Sequence, residues 1–162
     1  VTHKVINTNA EEMYFSIGAH PAFNCNLGDT LTFEYDETLY SERIDRDSVI
    51  TGDKDLILQN SNKIELTEHL FDKDALIFSN VKSNYVILNE KKAGKHIRFT
   101  FGASPFLAIW AKPAAPFVCI EPWYGVNDSY EKATDFSKKR GIQKLSSGEK
   151  FEFSWSAEFK ED

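Results

Sequence analysis

The sequence predicts an all-β protein built as an antiparallel β-sandwich. Two observations carry this. About ten short apolar runs, rich in β-branched and aromatic residues, are separated by turn-forming residues, and a helical period is almost absent. Residues 151–159 then alternate without a break: Phe151, Phe153, Trp155, Ala157 and Phe159 on one face, Glu152, Ser154, Ser156 and Glu158 on the other. A strand with one apolar face needs a second layer to cover it. The aromatic share of 14% suits pleated, half-buried surfaces, and it equally suits faces that stack on flat ligands or sugar rings.

Residues 2–7 alternate and carry β-branched side chains, which predicts a first strand. Residues 12–18 predict a second, and Asn7-Thr8-Asn9 reads as the turn that makes the two a hairpin. Residues 31–35 set Leu, Phe and Tyr against Thr and Glu, the pattern of a half-buried strand. Residues 37–52 are polar and irregular and read as a loop with solvated charges. Leu56-Ile57-Leu58 and Ile64-Glu65-Leu66 are short apolar pieces between turn residues. Asp72 and Asp74 precede an apolar strand ending near Phe78, where either acid could simply terminate the strand.

Residues 85–88 and 96–101 read as two strands joined by a lysine-rich turn, residues 90–95. In the second, Ile97, Phe99 and Phe101 face one way and His96, Arg98 and Thr100 the other. Residues 106–111 are an apolar run that includes Trp110, and residues 112–116 are a breaker-rich loop. Residues 129–134 fit a single helical turn capped by Asp128 or Ser129, and residues 137–141 fit another short helix closed by Gly141.

The 162 residues are enough for one domain, 1–162, with a sizeable core. Nineteen Lys and Arg against 25 Asp and Glu give a net charge of −6. That balance lacks the basic footprint of a nucleic-acid or anionic-membrane partner. No run of about 18 apolar residues suggests a membrane span, and no signal peptide is recognised. Cys25 and Cys119 fit neither a disulfide framework nor a zinc pattern, so both read as reduced core thiols in a cytoplasmic protein. The four histidines are widely spaced, which predicts no metal site, and no cofactor motif is present. The chain opens on Val1, directly in a strand pattern, as a piece of a longer protein would.

The stretch with chemistry in it is Phe-Val-Cys-Ile-Glu-Pro-Trp-Tyr-Gly-Val-Asn-Asp, residues 117–128. A carboxylate, Glu121, ends an apolar run, and desolvating it is costly unless it is paired or used. Pro122 biases Glu121 toward extended backbone, which predicts a strand terminus. Trp123 lies beside it. A second ionisable residue, His20, precedes Pro21 at the end of another apolar run. A lone histidine can be a satisfied structural group or a ligand-facing one. Together, an imidazole and a partly desolvated carboxylate make a general acid and a general base, provided that the fold brings them together.

Ser-Ile-Gly-Ala-His-Pro-Ala-Phe-Asn at residues 16–24 and Cys-Ile-Glu-Pro-Trp-Tyr-Gly-Val-Asn-Asp at residues 119–128 resemble the aldose 1-epimerase (galactose mutarotase) family, in its bacterial lactose-operon branch. Residues 71–78 and 108–117 fit the same branch. The resemblance implies a galactose mutarotase-like supersandwich whose enzymes interconvert the α and β anomers of free sugars. It implies His20 as general acid on the ring oxygen and Glu121 as general base on the C1 hydroxyl. It also implies Asp74 on sugar hydroxyls, Trp110 and Trp123 flanking the sugar, and Phe23 and Asn24 as further contacts. Family members are about twice this length, and their N-terminal half adds a His and an Arg in a His-Gly-Phe-Ala-Arg-like motif absent here. The resemblance therefore covers a C-terminal part, the other half being lost, a separate chain, or simply not in this sequence. A sandwich short of several strands exposes sheet edges and apolar faces, which predicts a homo-oligomer or association with an N-terminal half.

Overall fold

The computed structural model describes residues 1–91, 94–131 and 135–161. The strands are β1 (Thr2–Ile6), β2 (Met13–Phe15), β3 (Ile17–Gly18), β4 (Ala22–Asn24), β5 (Thr30–Ile44), β6 (Ile50–Glu65) and β7 (Leu76–Ser79). They continue with β8 (Tyr85–Asn89), β9 (Lys95–Thr100), β10 (Phe106–Trp110), β11 (Phe117–Tyr124), β12 (Gln143–Leu145), β13 (Lys150–Ser154) and β14 (Ser156–Glu161). The one helical element among the described residues is a 3₁₀ turn, Phe136–Lys138, capped by Asp135.

Ten strands make one sheet in the order β14-β9-β8-β5-β7-β10-β11-β3, with β4 also on β11 and β6 on β5. The hinge is β5. Its first residues, Thr30–Phe33, pair with β8, while Glu42 near its other end pairs with β7. Along β5 the ladder with β6 shifts register four times, three of them before Glu42. Bulges of this kind bend a strand and increase its twist, so the β8–β9–β14 arm folds over the β7–β10–β11 arm. The core fills the space between: Phe33, Phe78, Phe99, Leu107, Ile109, Val118 and Ile120 are all fully buried. Phe23 on β4 meets Phe99 on β9 edge to face, with centroids 5.5 Å apart, across this layer. The sandwich is thus one curled antiparallel sheet. Two small ribbons, β1–β13 and β2–β12, flank it.

Several expectations need correction. Strands β1 and β2 are not a hairpin; each pairs with a C-terminal strand, and the buried Asn7 carboxamide ties their junction to Glu11 O and Leu145 O. Residues 37–52 are mostly strand. The bulges erase the period of two there, and the acids that read as solvated are partly interior. Glu37, 1% exposed, accepts hydrogen bonds from Lys82 N, Ser83 N and Ser83 Oγ at 2.8–3.0 Å. The apolar pieces at 56–58 and 64–66 belong to one strand, β6, which Leu66 follows.

The alternating C-terminal run breaks at Trp155, where the chain leaves the ribbon for the sheet: β13 pairs with β1 and β14 with β9. Its apolar face is consequently not all buried, and Phe159 is 71% exposed. The short helix expected at 137–141 is the 3₁₀ turn only. The turn at 90–95 and the helical turn at 129–134 fall partly outside the described residues. Within the latter, Ser129 bridges Ile50, and Tyr130 N bonds Ile50 O.

Candidate acid–base site

Period-two alternation along β11 sends Val118 and Ile120 into the core and Cys119, Glu121 and Trp123 to the opposite face. Pro122 does not end the strand. It lies inside β11, opposite Leu107 of β10, and Glu121 stands mid-strand opposite Ala108. The effect of Pro122 appears on the other side. It has no N–H to give, and a ladder tolerates that only at an edge or a break. The neighbouring edge strand is interrupted there, β3 ending at Gly18 and β4 starting at Ala22. Ala19 N bonds Pro122 O at 3.0 Å and Ile120 N bonds Pro21 O at 3.2 Å across the gap. Both halves hold one register, Gly18 opposite Trp123 and Ala22 opposite Cys119. That register sets His20 opposite Glu121.

The two side chains meet. His20 Nδ1 lies 2.5 Å from Glu121 Oε2, with the imidazole 63% exposed and the carboxylate 5%. Trp123 Nε1–H donates to the same oxygen at 3.2 Å. Gly18 permits this arrangement, because a Cβ there would lie 2.8 Å from Trp123 Cδ1. Burial raises the proton affinity of Glu121 above the ordinary carboxylate value; the hydrogen bonds from His20 and Trp123 oppose it without cancelling it. Cys119 Sγ sits 3.8 Å from His20 Nε2, and burial, aided by the Glu121 charge, pushes its thiol up to about 11. The Trp110 ring lies 6.2 Å from the His20 ring.

The fold therefore gathers His20, Glu121, Trp123 and Trp110 from separate segments of the chain. It does not gather the rest. Phe23 points into the core against Phe99. Asn24 is exposed opposite Phe117 and borders a separate cavity of about 790 Å³ with His96 and Phe159. Asp74 has φ 78° and accepts from Ala75 N at 2.7 Å. It lines a cavity of about 370 Å³ with Glu42, Arg43, Asp55 and His69.

Sequence reading missed two features. Cys119, read as a plain core thiol, joins His20 and Glu121 in a group whose donor atoms lie within 4.8 Å of one another; the spacing of histidines along the chain gives no sign of it. Glu42, 3% exposed, is held by both arms of Arg140, at 3.1 and 2.8 Å. Their separation of 98 positions in the chain leaves no sequence signal.

The curled antiparallel sheet with a cross-strand imidazole–carboxylate pair on one face defines a β-sandwich of the mutarotase type. The family model for aldose 1-epimerase matches residues 1–156, and the chain belongs to that family. Protein LacX (plasmid) of Lactococcus lactis subsp. lactis is 33% identical over 153 residues, 88% of this chain and 51% of that protein. The chain thus spans about half the length of the curated relatives it matches. A galactose mutarotase related enzyme from Lactobacillus acidophilus superposes with a TM-score of 0.88 at 27% identity, covering 98% of this chain and 56% of that one. A galactose mutarotase-like protein from Lactobacillus casei gives 0.87 at 28% identity, covering 98% and 58%. Among the described residues no helix is long and apolar enough to cross a membrane.

Proposed function

We propose that this chain carries the acid–base pair of an aldose 1-epimerase acting on a hexose. The observation that supports this is the 2.5 Å contact between His20 and Glu121 on one sheet face. The ring oxygen and the anomeric hydroxyl of a sugar hemiacetal are bonded to the same carbon. An acid and a base that serve both must converge on one spot, as these two do.

In this mechanism Glu121, as carboxylate, takes the proton of the C1 hydroxyl. His20, as imidazolium, gives a proton to the ring oxygen. The bond between C1 and the ring oxygen breaks and a C1 carbonyl forms. The open-chain aldehyde rotates about C1–C2, and closure runs the same transfers in reverse. Each positioned group contributes roughly 10²–10⁴-fold. Burial favours the protonated form of Glu121, which moves its proton affinity toward working pH and improves it as a base. Trp110 and Trp123 offer aromatic surface to the apolar face of the sugar. The same reading has the protein act in the cytoplasm, where two unpaired thiols stay reduced. It corresponds to the C-terminal part of a longer fold and associates with a second copy or an N-terminal half.

Polarimetry of freshly dissolved glucose and galactose, with and without the protein, tests the activity. Acceleration that disappears in both His20→Asn and Glu121→Gln is expected; full activity in both variants sinks the reading. A second reading is a carbohydrate-binding sandwich without catalysis, supported by the aromatic surface that Trp110 sets beside His20. Saturable sugar binding with an unchanged anomerisation rate would decide for it.

A further inference from the structure

The register that opposes His20 to Glu121 also sets Cys119 beside them, two residues back on the same face of β11. We propose that His20, Cys119 and Glu121 form a binding site for one thiophilic divalent cation of the zinc or cadmium type, with His20 Nε2 and Cys119 Sγ as direct ligands.

Three observations carry this. First, the distance fits. With cation–nitrogen and cation–sulfur bonds of about 2.0 and 2.3 Å, the 3.8 Å between Nε2 and Sγ closes an angle of about 120° at the cation. A cation enters between these atoms without moving either strand.

Second, the imidazole is already held in the right orientation. Its Nδ1 faces the buried carboxylate at 2.5 Å. A proton held on that nitrogen leaves the Nε2 lone pair free, and Nε2 is the atom turned toward sulfur. A carboxylate behind a ligating histidine fixes the ring and strengthens it as a donor. Third, the Glu121 carboxylate lies within the same 4.8 Å group, so its negative charge stands close enough to favour a bound cation while it holds the ring from behind. Water completes the coordination, which makes this an open site and not a closed structural one.

Sulfur and imidazole donors select zinc and cadmium over magnesium and calcium. The cation reaches Sγ along the exposed side of His20, and the thiol proton leaves to solvent as the cation binds. Resting on the acid–base reading above, a bound cation occupies the Nε2 lone pair and halts sugar ring opening.

Cadmium titration of the full chain, followed by thiolate-to-cadmium ultraviolet absorption, tests the site. The expected result is one cadmium per chain, a signal kept in Cys25→Ser, lost in Cys119→Ser and weakened at least tenfold in His20→Asn, with magnesium failing to compete. Cadmium NMR of the unaltered protein should report one sulfur with nitrogen and oxygen ligands, independently of how the variants fold. No absorption at one equivalent, or a signal that follows Cys25, overturns the proposal. Polarimetry with zinc, then with a chelator, reads the blocking step separately. If the protein accelerates anomerisation and zinc binds without slowing it, the blocking step is wrong while the site stands. If the protein has no such activity, the cadmium result still decides the site.

Discussion

Glu42 and Glu121 stand in one cross-strand row: Glu121 opposite Ala108, Ala108 opposite Ile77, and Ile77 opposite Glu42. Residues opposed in a ladder share a face, so one side of the sheet carries two buried carboxylates with two fully buried apolar residues between them. Their partners differ in kind. Glu42 is gripped by both arms of the Arg140 guanidinium. Glu121 meets one ring nitrogen of His20, whose imidazole is 63% exposed. The first pair is a two-pronged clamp; the second is a single contact whose imidazole side opens to solvent.

Removing Arg140 leaves Glu42 buried without its counter-charge. Breaking a buried pair from one side costs about 3–5 kcal/mol, and the half-exposed guanidinium lets water offset part of that. Arg140→Ala is expected to lower the unfolding free energy by roughly 2–3 kcal/mol, and Arg140→Met with Glu42→Leu to recover most of it. Urea denaturation measures both; a single variant as stable as the parent would contradict the role given to the pair.

Glu37 makes a comparable case without a cation. In Glu37→Ala, Lys82 N, Ser83 N and Ser83 Oγ lose their acceptor. Leaving buried donors unsatisfied costs about 1–3 kcal/mol each. A loss of roughly 3 kcal/mol in denaturant unfolding is expected, and a loss near zero would return residues 37–52 to the status of solvated surface.

The buried charge of Glu121 has a signed effect on stability. Its proton affinity is raised in the folded chain, so folding is favoured while the group is protonated. That favour is full below the unfolded carboxylate value and is lost as pH rises through the folded one. Glu121→Gln is therefore expected to match the parent in acid and to exceed it in stability at mildly alkaline pH. Thermal melts across pH check this; a variant less stable than the parent at alkaline pH refutes the sign.

Trp123 tunes the same group. Its Nε1–H bond to Oε2 lowers the proton affinity of Glu121. Trp123→Phe keeps an aromatic ring and deletes the donor, so the acid limb of the mutarotation pH–rate profile should move to higher pH. An unmoved limb, or one shifted to lower pH, would separate Glu121 from the base.

Gly125 marks the exit of β11. Its φ is 133°, and a Cβ added there would lie only 2.4 Å from Ser16 Cβ. Gly125→Ala combines a strained backbone with a clash and should cost about 2–4 kcal/mol. For a chain of this size that lowers the melting temperature by roughly 4–16 °C. Ser16→Gly in the same chain should restore the part due to the clash.

Local alternation was enough to read the strand at 96–101, and short apolar runs bounded by turn residues were enough for 85–88 and 106–111, the last being buried on both faces. The pairing candidates His20 and Glu121 were also legible, as ionisable residues ending apolar runs before proline. The inference from proline was half right: Pro122 keeps Glu121 extended, but it breaks the neighbouring strand and not its own.

The sequence by itself determined the all-β class and the family, and marked His20 and Glu121 as a candidate pair, since these rest on period, composition and short motifs. Only the tertiary structure decided that β5 runs through its bulges, that Glu42 pairs with Arg140, and that Phe23 serves the core. It also decided that His20, Cys119 and Glu121 share one spot. The physical reason is register. A shift of one residue turns every side chain to the other face, and the register of β3 and β4 on β11 is fixed by contacts about a hundred residues apart, which no local pattern records.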